Sequence, residues 1–448
     1  MRLPGVFGRC CVLFGWMCAV SMASASPQPR EATLSVGPAM VELIGPWRFH
    51  LGDDLRWAAV DFDDADWETV DLAAEPGSHD GDVGLPGYVA GWNQRGHAGY
   101  HGFAWYRLDV TVDAARGEAL ALAGPTLVDS TYQLYVDGKP AGGPGDFASE
   151  TPRAYSVRPS VFALPTPATP GPRTYHLAMR VWMDPADAGS DTGGVHVAPT
   201  LGTAGGIAQL HEVQWLRTFK GYVVDAVEPF AFVLLAIMAL AIPAGDGRRR
   251  AWLVCALLLL AALRINQVTY AWTPWQSLRG YDIATAVVLR PLTIAAWILA
   301  WREWFGVRQP RWLPAAVIAL AGVHVALALV GRPWFLTEAA AGLGSTANGL
   351  VKAVRLVDAA LYLGVLGMGL RRSPTLAGGV AALAALLVGV GLFAGEVSAL
   401  GVPGIWFPYG VGVARGQYTY AAFVAVLFGL ILWQARRALR RPGVPAAA

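Results

Sequence analysis

The densest set of groups able to grip a ligand lies in the segment 87–102. There Tyr88, Trp92, Asn93, Gln94, Arg95, His97, Tyr100 and His101 alternate with glycines at 87, 91, 96, 99 and 102. Aromatic faces stack on apolar ring surfaces, and planar amides and guanidiniums pair with neighbouring hydroxyls, so this mixture suits carbohydrate recognition. The glycines mark the segment as a loop, where binding residues concentrate. A plainer role stays open, with Trp92 and Tyr100 capping the edge of a β-sandwich. A second cluster, Arg153, Tyr155 and Arg158, follows a Gly/Pro-rich turn and could take an anionic group or line a solvated strand edge.

A third set sits inside long apolar runs: Asp225 and Glu228, Arg264 with Asn266 and Gln267, Arg290 before Pro291, then Lys352, Arg355 and Asp358. Ionisable groups in such runs are costly and face the bundle interior. Arg355 and Asp358 are spaced for an i,i+3 pair, and Arg264 or Arg290 could meet Asp225 or Glu228. These residues are candidates for coupling between helices, with snorkelling and structural pairing as the alternative. Catalysis is not expected. His324 is the only histidine in the runs, and Ser345, closing a Gly-Leu-Gly-Ser stretch, has no partner base in sight. Neither metal nor cofactor is expected: Asp61, Asp63, Asp64 and Asp66 lack the glycine and terminal glutamate of a calcium loop, and His196 and His211 are isolated.

The elements that must position these groups divide near Lys220. The chain is 54% hydrophobic and 15% charged, with a mean hydropathy of +0.41, which is the composition of a polytopic membrane protein. A net charge of +2 gives no footprint for nucleic acid. Residues 1–25 read as a cleaved signal peptide, with Arg2 and Arg9, an apolar core and Ala23-Ser24-Ala25 as cleavage site. Cys10, Cys11 and Cys18 fall in that signal and Cys255 in an apolar run, so no disulfide framework is expected outside the membrane.

Seven apolar runs follow, at 221–242, 251–272, 283–301, 312–330, 350–370, 376–394 and 418–433. Arg248, Arg249 and Arg250, then Arg302, Arg308 and Arg311, then Arg371 and Arg372, then Arg436, Arg437, Arg440 and Arg441 follow alternate runs. The opposite loops carry only Arg279, Arg332 and Arg415. That asymmetry places the N-terminal domain outside and the C-terminus in the cytoplasm.

From 41 to about 201 the pattern is short alternating strands between Gly, Pro and Asp, an all-β sandwich. Tyr132 to Val136 runs into Asp137-Gly138, a type I′ hairpin signal, and Tyr175 to Trp182 reads as a late core strand. The stretches Gly45-Pro46-Trp47-Arg48-Phe49, Asp53-Asp54, Asp61-Phe62-Asp63-Asp64-Ala65-Asp66-Trp67, Gly102-Phe103-Ala104-Trp105-Tyr106-Arg107 and Tyr135-Val136-Asp137-Gly138-Lys139 resemble the galactose-binding-like jelly roll of family-2 glycoside hydrolases. In that family the catalytic carboxylates lie in a separate barrel, so the resemblance implies a fold without the activity.

A jelly roll coupled to seven helices is similar to the bacterial seven-transmembrane receptors with diverse intracellular signalling modules. The resemblance implies a sensor in the bacterial inner membrane. The expected fold class is an all-β jelly-roll sandwich followed by an all-α seven-helix transmembrane bundle. Its parts are a signal peptide (1–25), a periplasmic sandwich (26–203), a juxtamembrane linker (204–220), a seven-helix domain (221–435) and a basic tail (436–448). Because only 434–448 follow Trp433, the output is expected in a separate cytoplasmic signalling protein. The expected partners are therefore the lipid bilayer, a carbohydrate or small-molecule ligand outside, and that protein. A non-catalytic envelope scaffold is the alternative. A transporter comes third, since neither inverted repeats nor a ladder of acidic groups is evident.

Overall fold

The computed structural model describes residues 40–78, 87–114, 118–166, 171–185, 192–241, 246–333, 335, 341–402, 404–405 and 414–439. The expected signal peptide, together with Arg440 and Arg441 of the tail, lies outside them.

Two antiparallel sheets form the N-terminal domain. One has four strands, in the order β1 (Met40–Glu42), β10 (Thr200–Thr203), β5 (Leu120–Ala123), β8 (Val161–Ala163). The other has six, in the order β3 (Glu68–Val70), β2 (Trp47–Leu51), β4 (Gly102–Ala114), β9 (Gly171–Met183), β6 (Thr131–Val136), β7 (Lys139–Gly142). The sheets face each other across one apolar core. Trp47, Phe49, Tyr106, Tyr132, Tyr175, Leu177 and Met179 come from the larger sheet, and Leu120, Leu122, Phe162 and Leu201 from the smaller. The expected sandwich is therefore present. Asp137 and Gly138 have φ of 50° and 76°, as a type I′ turn requires, and join β6 to β7.

Strand alternation sends Trp105 and Arg107 of β4 to the outer face of the larger sheet, yet both are buried. The aspartate-rich segment folds over them. Trp57, Phe62 and Trp67 pack on Trp105, Tyr135 and Ala178. Asp53 accepts from Trp105 Nε1 at 3.0 Å and from Arg180 Nε at 2.7 Å, and Asp64 accepts from Arg107 Nε at 2.7 Å. Two carboxylates of this acidic stretch thus hold arginines.

Helix α1 (Ala204–Ala241) begins at the residue after β10 and runs 38 residues without a break. The segment 204–220, expected as a linker, is helix continuous with the first apolar run. Its first turns dock on the smaller sheet, with Ile207 fully buried against Ala121 and Ala123. Next come α2 (Gly247–Trp272) and α3 (Leu278–Asp282), a π-helical stretch Ile283–Leu289, and α4 (Arg290–Trp304). The bundle is completed by α5 (Leu313–Val330), α6 (Ala341–Arg372), α7 (Leu376–Leu392), α8 (Ala394–Ser398) and α9 (Arg415–Leu439).

Among the described residues, six helical stretches are long and apolar enough to cross a membrane: Val223–Ala241, Gly247–Trp272, Leu278–Trp304, Leu313–Val330, Gly342–Arg372 and Arg415–Arg437. The chain is a multi-pass helical membrane protein with a two-sheet domain. The sixth expected run appears as α7, an apolar helix of 17 residues that falls short of that length. Its buried Ala381, Ala382, Ala384 and Ala385 let neighbours approach closely.

Candidate functional site

The sandwich holds the bundle at two places. The first is covalent, through α1. The second is a clasp on the corner between α2 and α3. Arg158 donates to the carbonyl of Trp272 at 2.9 Å, and the Leu278 N–H donates to the carbonyl of Ala154 at 2.8 Å. Arg279 Nε meets Asp184 Oδ2 at 2.9 Å. Asp184 directly follows β9 and also draws its own N–H to Ser130 Oγ at 2.8 Å.

Beyond this corner, on the membrane side, the helices enclose a chamber of about 330 Å³. Its polar lining is Arg264, Gln267, Tyr281, Thr285, Arg290, Thr293, Gln417 and Tyr420, and Leu263, Leu392 and Ile405 supply much of the apolar part. Tyr281 belongs to the clasped corner and stacks on Tyr270 with centroids 4.5 Å apart. Arg264 is held by three helices. Its Nε donates to Glu228 Oε2 at 2.7 Å, and one terminal nitrogen reaches Gln267 at 2.7 Å. The other terminal nitrogen pairs with Asp225, and the guanidinium lies 5.5 Å from the Tyr420 ring. Gln417 of α9 donates to the same Asp225 oxygen at 2.5 Å. Charges out of water are tolerable only when paired and hydrogen-bonded in this way.

The sequence expectation that Arg264 meets Asp225 or Glu228 is realised with both. The expected Arg355–Asp358 pair is not formed. Arg355 makes a two-pronged bond to Glu396 of α8 at 2.6 Å, and Asp358 turns toward His324 Nδ1 at 3.8 Å. A bidentate carboxylate on a facing helix outcompetes one on the same helix because its fork matches the guanidinium geometry. Arg290 lies on the chamber wall. Nearby, Arg332 pairs with Asp282 at 3.0 Å.

The loop at 87–102 is packed for the most part. Trp92 is 2% exposed and gives its indole N–H to the carbonyl of Tyr100 at 3.1 Å. Gly193 and Gly194 lie against its ring face. Asn93 bonds Thr192 Oγ1 at 3.1 Å, His97 meets Glu68 at 3.0 Å, and the Tyr100 hydroxyl donates to Phe103 O at 2.6 Å. Tyr88 stacks on His196, centroids 4.7 Å apart. Tyr106 beneath is buried, which pushes its phenol well above the usual range.

The hollow beside Trp92, Arg95 and His97 measures about 10 Å³, room for roughly one water. Gln94 and His101 are exposed and Arg95 is partly so. The second cluster is spread out: Arg153 is exposed on an isolated bridge to Asp146, Tyr155 is half-buried, and Arg158 is committed to the bundle.

Sequence reasoning missed Asp184, Tyr281, Glu396 and Gln417, and used Arg279 only for its charge. Gln417 carries the one readable signal, a polar amide just before a long apolar run. At the far end of the bundle from the clasp, Arg249 stacks on Trp304 at 3.9 Å and Arg248 lies 3.7 Å from Glu303.

No protein-family model matches the chain, and no curated protein matches it. Among solved structures, 37% of this chain aligns with enzymes of glycoside hydrolase type. A Bacteroides uniformis β-glucuronidase 2 aligns at 17% identity and a TM-score of 0.26, over 18% of its own length. A glycosyl hydrolase family 2 member from Bacteroides cellulosilyticus aligns at 18% and 0.24, over 20% of its length. A β-glucuronidase from Ruminococcus gnavus aligns at 11% and 0.25, over 29%. The chain thus spans less than a third of each enzyme, and at these scores the likeness says nothing about its activity.

Proposed function

We propose that the chain is a signal-transducing membrane receptor of a bacterial inner membrane, with a periplasmic sandwich and a cytoplasmic C-terminus. It binds a carbohydrate-like or other envelope ligand through the sandwich and passes its state through seven helices, α7 included, to a separate cytoplasmic protein. It performs no reaction of its own.

The observation that carries this reading is the double attachment. Ala154, Arg158 and Asp184 hold the α2–α3 corner while β10 runs straight into α1. Any rotation of the sandwich must then move α1 and the corner together, which is the rigid-body coupling that a two-state receptor uses. Arg248, Arg249, Arg302, Arg371, Arg372, Arg436 and Arg437 follow the helix ends away from the clasp, which supports the cytoplasmic side there. For the ligand, Gln94 and His101 of the loop are exposed to solvent, and Arg95 is partly exposed beside them.

The test pairs Ala154→Cys with Leu278→Cys in a Cys255→Ser background and locks the clasp with a short bifunctional thiol reagent. Photo-crosslinking from the cytoplasmic face, with the clasp locked or open, is expected to capture different proteins. An identical set in both states would overturn the receptor reading and leave the envelope scaffold.

A further inference from the structure

The wall of the chamber carries hydrogen-bond donors that neither the packing nor the receptor reading uses. Tyr420 of α9 is 5% exposed and belongs to the lining. Its ring is fixed edge-on to Phe232, centroids 5.7 Å apart, and lies 5.5 Å from the Arg264 guanidinium. Its hydroxyl hydrogen-bonds to none of the described residues, whereas a tyrosine this deeply buried ordinarily gives its O–H to a partner. Gly391, also in the lining, makes room for that phenol, because a Cβ there would overlap it.

Gln267 supplies a second donor. Its carbonyl oxygen accepts from Arg264 at 2.7 Å, and its amide nitrogen donates to none of the described residues. By contrast, Thr293 is spent on the Leu289 carbonyl at 2.6 Å, Thr285 accepts from Asn266 at 2.7 Å, and Gln417 donates to Asp225 at 2.5 Å. The charge of Arg264 is met by Asp225 and Glu228. A neutral phenol and a neutral amide are therefore left to face the interior, beside the apolar surface of Leu263, Leu392 and Ile405. At about 330 Å³ the chamber is within the size range of ligand pockets, roughly 300–1,000 Å³. The π-helical stretch Ile283–Leu289 contributes Thr285 to its wall, and such π-turns inside helices occur frequently at functional sites.

We infer that this chamber binds a small uncharged amphiphile through a carbonyl group, of the ketone, quinone or ester class. The carbonyl oxygen accepts from Tyr420 and Gln267, and the apolar body lies against Leu263, Leu392 and Ile405. This goes beyond the receptor reading and does not rest on it.

The full chain in nanodiscs of ether-linked phosphatidylcholine, which has no ester carbonyl, is titrated with α-tetralone. Tetralin, the same skeleton without the carbonyl, is the control, and octanoate is the anionic comparison. Saturable stabilisation by tetralone alone is expected, measured as a rise of several degrees in unfolding temperature. Tyr420→Phe removes only the hydroxyl and should weaken binding about tenfold, the value of one hydrogen bond from a buried donor. If Tyr420→Phe does not fold, Leu263→Trp, which fills the chamber and keeps both donors, should abolish binding.

A second arm repeats the titration in ester-linked phosphatidylcholine. A weaker apparent affinity for tetralone there supports the inference with a lipid ester as the competing occupant, and an equal affinity supports it with a free ligand. Equal stabilisation by tetralone and tetralin, binding of octanoate in place of tetralone, equal binding by natural chain and variants, or no binding would overturn it.

Discussion

Asp184, 2% exposed at the end of β9, receives Arg279 Nε at 2.9 Å from the corner of the helical bundle. The two residues lie 95 positions apart, and nothing local in sequence ties them. The pair fixes the orientation of sandwich and bundle because Asp184 is anchored from its own domain by Ser130. Two residues further on from Arg279, Tyr281 enters the chamber lining. Under the receptor reading, that short spacing is the route by which a displacement of the sandwich would reach the chamber.

Replacing Arg279 with alanine removes a counter-charge from a buried carboxylate. A fully buried pair would lose about 3–5 kcal/mol. Because 38% of the Arg279 side chain is exposed, screening reduces the expected cost to about 1–2 kcal/mol. The measurement is hydrogen exchange. The Leu278 amide, bonded to Ala154, should exchange faster in Arg279→Ala while amides inside β4 and β9 stay unchanged. Equal exchange at Leu278 would show that the clasp is held by other contacts.

Arg264 makes the heavier case. Asp225, Glu228 and Arg264 are each almost wholly removed from solvent, so Arg264→Leu strands two carboxylates and should cost about 3–5 kcal/mol. Thermal unfolding in detergent reads the loss. The triple change Arg264→Leu, Asp225→Asn, Glu228→Gln should recover most of it, since neutral amides carry no uncompensated charge. Failure of the triple to recover would mean that packing against Tyr420, rather than charge, dominates at this position.

What could be read in advance follows the range of the forces involved. The hairpin at Asp137-Gly138, the strand alternation and the apolar runs are local patterns, and each is present. Arg264 was recognisable as needing acidic partners because the cost of a buried charge does not depend on topology. Which carboxylate answers which arginine does depend on it: the sequence spacing allows Arg355 to pair with Asp358 on its own helix, but Glu396 on α8 offers a better fork. The loop 87–102 shows the opposite weakness. Composition lists its aromatic and amide groups but cannot tell that Gly193 and Gly194, a hundred positions on, press against Trp92.

That packing sets a third expectation. Trp92→Ala empties a core site bounded by Phe49 and Tyr100 and should destabilise the sandwich by about 3–5 kcal/mol. Gln94→Ala and His101→Ala, on the exposed rim, should stay within about 0.5 kcal/mol. Chemical denaturation of the full chain followed by tryptophan emission checks both. If a carbohydrate binds this loop, the rim variants lower its affinity at unchanged stability. A stable Trp92→Ala chain with lost binding would make Trp92 a ligand platform after all.

The π-helical stretch Ile283–Leu289 yields the last expectation. Its i→i+5 bonding accommodates about one residue more than an α-helix would between the same two ends. Deleting Val288, which is exposed, should let this stretch close as regular α-helix with the clasp at Leu278 and the α4 residues in place. Stability should then stay level or rise by about 0.5–2 kcal/mol, as when a strained functional element is regularised. The cost falls on coupling, because Thr285 would lose its bond from Asn266, 2.7 Å in the intact chain. Locking the clasp should then no longer alter labelling at α4. Deleting Leu299 from the regular part of α4 is the control: it turns all that follows by about 100° and should unfold the bundle. If both deletions unfold it equally, the π-stretch is a packing necessity rather than a movable joint.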